Sequence, residues 1–158
     1  MRTLLLASLL ALLAVGCADD ALAVSGSVEL SGDAIETGFD FASEINLADD
    51  RVSQEVFSGH CVITDDDVND VESVELAIRR PGSADGLERF ALEATAGGDA
   101  SLEFETDSGA FRTDCDVETL YLDDDCGTYG VAFDCAIDGA TSGRGELHFV
   151  GCDVVEID

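Results

Sequence analysis

Apolar and polar residues alternate along most of the chain beyond residue 23. Successive side chains of a β-strand point to opposite faces, so each alternating run places its apolar residues on one side of a strand. The pattern therefore predicts a series of half-buried strands. The apolar members of these runs are Val24, Val28 and Leu30; Phe39 and Phe41; Val74, Leu76 and Ile78; Phe90, Leu92 and Ala94; Leu102 and Phe104; and Tyr129, Val131, Phe133, Cys135 and Ile137.

Turn-forming segments rich in glycine and aspartate separate these runs, at residues 81–86, 97–99, 107–109, 123–127 and 139–145. Repeated short strands with this spacing predict an all-β fold, an antiparallel β-sandwich or a barrel-like domain. The connections are too short for the crossovers that parallel strands need, so a parallel sheet is not expected.

Two stretches also fit a helical spacing. The first stretch contains Leu47, Val52, Val56 and Phe57. The second contains Leu87, Phe90, Ala91 and Ala94, and Gly97 would end a helix there. For the second stretch a strand is the better prediction, because strands are predicted on both sides of it.

The first 16 residues read as an export signal. Arg2 supplies a positive charge, and an apolar run of 12 residues follows from Leu4 to Val15. A membrane-spanning helix needs about 20 apolar residues, so the run fits the apolar region of a signal peptide.

The junction Ala14-Val15-Gly16-Cys17 resembles the lipobox of bacterial lipoproteins, in which small residues precede a cysteine. The usual leucine three residues before the cysteine is replaced by Ala14. The resemblance implies that Cys17 carries a diacylglyceryl thioether and becomes the new N-terminus. Because Ala18 and not aspartate follows, it also implies the outer membrane over the inner one. Beyond residue 17 the chain resembles no domain family.

A rival cleavage site lies slightly further on. Ala21-Leu22-Ala23 fits the pattern of ordinary secretory cleavage, which would discard Cys17 and release a soluble protein. The lipobox is preferred because it directly follows the apolar run. The predicted organisation is a lipoprotein signal peptide over 1–16, the lipidated cysteine and a short tether over 17–23, and one acidic β domain over 24–158.

Charge narrows the classes of partner. Seven Lys+Arg stand against 35 Asp+Glu, a formal net charge of -28. Such a surface repels phosphate backbones and anionic headgroups, so no nucleic-acid partner is expected. It suits a cationic partner, a divalent ion or simple solvation.

Five cysteines follow Cys17, and export into an oxidising compartment predicts disulfides among them. An odd number leaves one cysteine free or bridged to another chain. A hairpin of 128–137 with 145–152, in the register that gives one apolar face, turns Cys152 to the opposite face from Cys135. That parity predicts Cys126 as the partner of Cys152. Cys61, Cys115 and Cys135 share parity with apolar neighbours, and two of them are expected to pair.

Metal sites have little support in the sequence. No cysteine and histidine spacing matches a zinc module. Asp65, Asp67 and Asn69 alternate as in the opening of an EF-hand calcium loop, with Asp70 beside them, but Asp70 replaces the glycine and Leu76 replaces the bidentate glutamate. No cofactor is therefore expected, and calcium bound by these four residues is the alternative.

No nucleophile elbow or phosphate-binding loop occurs in the sequence, so no catalytic residue is predicted. The expected function is that of a lipid-anchored cell-envelope protein with a non-enzymatic binding or structural β module. The alternatives are a calcium-binding adhesion or stabilising module and, third, a secreted or tethered hydrolase.

Overall fold

The computed structural model describes residues 21–33, 35–44, 56–65, 71–95, 99–123, 125–138 and 141–156. All of the regular structure in these segments is β-strand, which confirms the all-β fold class. The strands are β1 (Ala23–Ser31), β2 (Glu36–Glu44), β3 (Val56–Asp65), β4 (Val71–Arg79), β5 (Leu87–Thr95), β6 (Ala100–Thr106), β7 (Gly109–Asp123), β8 (Thr128–Asp138), β9 (Thr141–Val150) and β10 (Asp153–Glu156).

The strands form one curled sheet in the order β10-β3-β4-β5-β6-β7-β8-β9-β1-β2. Strand β7 is 15 residues long and serves both halves of this sheet. Its first half, up to Cys115, pairs with β6, and its second half, from Asp116, pairs with β8. We call the half that contains β7 from Asp116, β8, β9, β1 and β2 the β1 sheet. The other half, from β10 to the start of β7, is the β4 sheet.

The two half-sheets pack their apolar faces together as a half-barrel. Phe90 of β5 meets Phe133 of β8 at 6.0 Å between ring centroids, and meets Phe39 of β2 edge-on at 6.3 Å. Phe41 of β2 similarly approaches Phe57 of β3 at 5.7 Å. The inward residues of both halves belong to a single apolar core, which gives the domain its main source of stability.

The sheet is not purely antiparallel, contrary to the expectation from connection lengths. The short strand β10 pairs parallel to β3, from Asp153 beside Val62 to Glu156 beside Asp65. This is possible because β10 is the last strand and β3 an early one, so most of the chain lies between the two and no short crossover is needed.

The strand predicted over Leu87 to Ala94 is confirmed as β5. Val56 and Phe57, which also fitted a helical spacing, begin strand β3, while Leu47 and Val52 lie outside the described residues. The predicted register of the β8–β9 hairpin is confirmed, with Tyr129 opposite Phe149 and Val131 opposite Leu147. Strand β9 begins at Thr141 and not at residue 145, so the predicted turn over 139–145 is too long.

Two disulfides have both partners in the described residues. Cys115 pairs with Cys135, as expected for two of the three inward-pointing cysteines, at the point where β7 passes from one half-sheet to the other. Cys61 pairs with Cys152, with Cα atoms 4.8 Å apart. The predicted Cys126–Cys152 bridge is therefore wrong.

The parity argument fails at Gly151. This residue has a φ of 85°, in the left-handed region that glycine tolerates, and it ends β9 before Cys152. The chain therefore turns Cys152 inward, where it is 7% exposed and its N–H donates to the Gly127 carbonyl oxygen at 2.8 Å. Cys126 is also disulfide-bonded, so none of the described cysteines is free and the expected odd thiol is absent from them.

The turn between β4 and β5 attaches one half-sheet to the other. The Asp85 carboxylate accepts hydrogen bonds from the Thr37 hydroxyl of β2 at 2.6 Å, from Arg80 at 2.7 Å and from the Leu87 N–H at 3.1 Å. Arg80 in turn lies 4.2 Å above the centroid of the Phe39 ring. Burial by itself raises the pKa of Asp85, but these hydrogen bonds and one with Ser83 outweigh it and hold that pKa well below its usual range.

At the N-terminal side, Leu22 packs against the core and Ala23 is already paired with Val150 and Glu44. The last part of the predicted tether therefore belongs to the domain. The signal peptide and Cys17 lie outside the described residues. Within the described segments there is no helix with the length and apolarity needed to cross a membrane.

Candidate functional site

The outer face of the β1 sheet carries three rows of side chains that run across its strands. Each row has one residue from each of β2, β1, β9, β8 and β7, in that order. The first row is Gly38, Glu29, Arg144, Asp134 and Asp116, and the second row is Asp40, Ser27, Glu146, Ala132 and Glu118. The third row is Ala42, Ser25, His148, Gly130 and Tyr121. Small residues on β1 and β8 leave a low floor between longer acidic side chains.

A cleft of about 760 Å³ lies across the first two rows. Six carboxylates line it, from Glu29, Asp40, Asp116, Glu118, Asp134 and Glu146. Arg144 is the one cation in the lining. The cleft is thus a shallow, strongly negative surface built by five adjacent strands.

Arg144 is held by one of these carboxylates. Its Nη2 and Nε atoms donate to Oε2 of Glu29 at 2.8 and 3.0 Å. The hydrogen bond and charge of Glu29, with a smaller contribution from Asp134, raise the pKa of Arg144 further above its ordinary value. The pairing balances one carboxylate and leaves the cleft with an excess of five.

Tyr121 closes the end of this face. Its ring lies directly over Gly130, where an added Cβ would come within 2.4 Å of a ring carbon. The Tyr121 hydroxyl is hydrogen-bonded to Nδ1 of His148 at 3.1 Å, and the two rings are 6° from parallel. On the other side of the imidazole, Nε2 lies 3.8 Å from Oε2 of Glu146, a residue of the cleft. Burial raises the pKa of Tyr121, so its hydroxyl stays protonated.

The outer face of the β4 sheet differs in charge. It carries three arginines, Arg79, Arg89 and Arg112, among its acidic residues. Arg89 pairs with Glu103, and Arg112 lies 3.9 Å from Glu93 and donates to Ser101 at 3.2 Å. Negative charge is therefore concentrated on the β1 sheet and partly neutralised on the β4 sheet.

A second group on the β4 sheet has the connectivity of a nucleophile and its base. His60 Nε2 is 3.1 Å from the Ser73 hydroxyl, and its Nδ1 is 3.6 Å from Oε2 of Glu75. The histidine and glutamate side chains are 49% and 47% exposed. This exposure is unfavourable for catalysis, because the electrostatic stabilisation of a transition state depends on an enclosed, preorganised site from which water is excluded.

Of the four sequence-predicted calcium ligands, only Asp65 belongs to the described residues. Asp65 ends β3, and Asp67, Asn69 and Asp70 lie outside the described residues. In the second acidic run, Oδ1 of Asp123 accepts the Asp125 N–H at 3.1 Å, a local turn contact. No cluster of three metal-ligating side chains occurs among the residues that are described.

Sequence reasoning missed the acidic cleft and Tyr121. The alternation of β8 and β9 placed Glu146 and His148 on a common outer face, but grouping them with Asp40 and Glu118 needs the register of five strands. The signal that was available is the low volume of Ser27 and Ala132 at outward positions, which marks the floor of the cleft.

The comparisons with known proteins give no functional assignment. No protein-family description and no curated protein matches the sequence. Among solved structures, the crystal structure of the ywiB protein from Bacillus subtilis is similar over 83% of this chain and 91% of its own, with 9% sequence identity and a TM-score of 0.35.

Proposed function

We propose that this chain is an exported, lipid-anchored cell-envelope protein whose β domain is a non-enzymatic binding module for a cationic partner. The observation that carries the proposal is the acidic cleft of the β1 sheet, with six carboxylates against one arginine. Clefts lined by one sign of charge focus the field and raise the local concentration of opposite charges. The cleft therefore favours a partner that presents several positive groups to one face.

Binding to a cationic probe tests this function. We expect a short fluorescent arginine–serine peptide to bind the wild-type domain at low salt. The triple variant Asp40→Asn, Glu118→Gln, Asp134→Asn should weaken binding by at least about tenfold, because one lost charge contact is worth on the order of 1 kcal/mol near a protein surface.

The matched control removes the same charge elsewhere. Asp99→Asn, Glu105→Gln and Asp107→Asn are exposed residues outside the cleft. When the variants are compared at 0.1 M salt, this control should bind the peptide within about twofold of the wild type, since charges more than a Debye length apart, about 10 Å at that salt concentration, interact little. Equal weakening by both triple variants would mean that net charge, and not the cleft, attracts the peptide.

The anchor is proposed from the lipobox-like junction. It is supported by the first residues of the domain, because cleavage after Ala23 would remove the core contact of Leu22 and the first paired residue of β1. Cleavage before Cys17 leaves both Leu22 and Ala23 in the mature chain. We propose the outer membrane as the location, from the lipobox resemblance, with the soluble form as the alternative. Cys17→Ser should abolish acyl labelling and membrane fractionation; a wild-type protein found wholly in the soluble fraction would contradict the anchor.

A tethered hydrolase is the second candidate, favoured by the contacts of His60 with Ser73 and Glu75. A serine activated by this histidine should react with a fluorophosphonate probe. Labelling that is lost in Ser73→Ala, and kept in the control Ser58→Ala, would establish a reactive serine and replace the non-enzymatic assignment. The exposure of the group leads us to expect no labelling.

A further inference from the structure

We propose that the occupant of the acidic cleft is an extended basic peptide segment, with one arginine or lysine packed on the exposed face of the Tyr121 ring. This inference rests on the proposed binding function and names the partner's chemistry and the anchoring residue. It follows from the spacing of the three rows and from the position of the tyrosine at their end.

The rows repeat at the interval of an extended chain. Asp134, Ala132 and Gly130 succeed one another on β8, two residues apart, and so do Arg144, Glu146 and His148 on β9. Two residues of extended chain span about 6.6–6.8 Å, so side chains on one face of a peptide lying along β8 repeat at the same interval as the rows. Basic residues at alternate peptide positions then meet successive rows.

Tyr121 is placed to receive the side chain that reaches the third row. Its ring rests on Gly130 and is fixed by the hydroxyl contact with His148, yet the residue keeps 43% of its surface exposed. The face of a tyrosine ring attracts ammonium and guanidinium groups. Glu146 and Glu118, in the adjacent row, add negative charge on both sides of β8. A fixed aromatic ring beside carboxylates suits a basic side chain better than a neutral one.

The immobilised ring is also a suitable anchor for energetic reasons. Tyrosine and arginine are enriched among the residues that dominate binding energy at interfaces. Tyr121 is already ordered by its two contacts, so binding orders no further torsion of that side chain. The surrounding carboxylates remain exposed and screened, so they attract the peptide without fixing its register.

Peptide isomers and Tyr121 variants test this inference. We expect a fluorescent peptide in which arginine and serine alternate to bind more tightly than its isomer with contiguous arginines. Tyr121→Leu keeps apolar bulk and loses the ring, and should weaken the alternating peptide about five- to thirtyfold. Tyr121→Phe keeps the ring and should bind within about twofold. Val56→Ala, an exposed apolar residue of β3 on the β4 sheet, is the control and should bind as the wild type.

The readouts separate this inference from the proposed function. Tyr121→Leu should lower affinity without changing the dependence on salt, whereas the triple cleft variant should reduce that dependence. If Tyr121→Leu binds like the wild type while the cleft variant does not, the anchor is wrong and the binding function stands. Equal affinity for the two peptide isomers overturns the extended occupant. If neither peptide binds the wild type at low salt, both proposals fail. Thermal unfolding of each variant confirms that it is folded.

Discussion

Asp85 illustrates how one carboxylate can determine the attachment of two half-sheets. It is an ordinary aspartate of a turn in the sequence, and its partner Thr37 lies 48 residues away. Four hydrogen bonds favour its charged form over its protonated form, which is why the pKa falls despite burial. The same contacts make folding dependent on the ionisation of this group.

Stability should therefore respond to acid through Asp85. A depressed folded pKa contributes stability that is fully present above the unfolded value of about 3.9 and is lost as pH falls towards the folded value. Asp85→Asn should lower the free energy of unfolding at pH 7 by about 1–3 kcal/mol. Denaturant unfolding of both proteins should show the difference shrinking below about pH 4. Asp107→Asn, in an exposed turn, is the control, and a difference that stays constant with pH would contradict this role.

The cysteines connect the anchor with the disulfides. Cys126 is disulfide-bonded, and the other four described cysteines already form two bridges. Its partner is not among the other described cysteines. One sulfur cannot carry a thioether and also form a disulfide, so lipidation of Cys17 and a bridge from Cys17 to Cys126 exclude each other.

Mass spectrometry and non-reducing electrophoresis of the membrane fraction distinguish these states. From the proposed anchor we expect acylated Cys17 together with a disulfide-linked dimer that reductant dissociates. Cys126→Ser should abolish the dimer and leave acylation intact. A peptide containing Cys17 bonded to Cys126 would contradict lipidation of that molecule and would favour the alternative of a soluble or differently tethered domain.

Among the elements, those with an uninterrupted pattern were predictable. Strands β5, β6, β8 and β9 follow from alternation, and the β8–β9 register follows from matching their apolar faces. The inward position of Cys152 was not predictable, because Gly151 adopts a left-handed conformation that interrupts the alternation of side chains at the end of β9. Strand β7 was not among the predicted strands, and its division between two half-sheets depends on tertiary packing. The cleft depends on the order of five strands, which pattern alone does not give.

Some strand positions require glycine because the neighbouring strand leaves no room for a Cβ atom. An added Cβ at Gly59 of β3 would lie 2.1 Å from the Glu75 carbonyl oxygen of β4, a backbone atom that cannot move alone. Gly38 of the edge strand β2 meets nothing closer than 3.7 Å. Gly59→Ala should therefore lower the unfolding free energy by about 1–3 kcal/mol or more. Gly38→Ala should leave it unchanged or raise it by about 0.4–1 kcal/mol.

Equilibrium denaturation of the two alanine variants checks this contrast. Both substitutions add one methyl group to a glycine within a strand, at the inward position of Gly59 opposite Leu76 and at the outward position of Gly38 opposite Glu29. The difference therefore reports the close approach of β3 to β4 together with the inward position of Gly59. Comparable stability of the two variants would mean that β3 and β4 separate at Gly59 at little cost.

The whole molecule is governed by its net charge of -28. Like charges on a small domain repel one another and destabilise the compact state. The repulsion is strongest on the β1 sheet, where the cleft gathers carboxylates, and weaker on the β4 sheet, where arginines interleave. A bound cationic partner would relieve the repulsion, so the charge that favours binding also couples binding to stability.

Monovalent salt should raise the melting temperature steadily. The Debye length falls from about 30 Å at 0.01 M to about 3 Å at 1 M, which removes most of the repulsion between exposed carboxylates. A specific calcium site would add a saturable increase at fixed high ionic strength that magnesium does not reproduce, because magnesium demands a tighter octahedral shell. We expect the plain salt effect with at most a small calcium increment. Two triple variants test the calcium alternative: Asp65→Asn, Asp67→Asn, Asp70→Asn in the loop, and Asp99→Asn, Glu105→Gln, Asp107→Asn as the control. A saturable calcium response that the loop variant loses and the control keeps would identify that loop as a calcium site. Identical melting at 0.01 M and 1 M salt would contradict self-repulsion itself, because charges of one sign at this density cannot be both unscreened and without effect on the folded state.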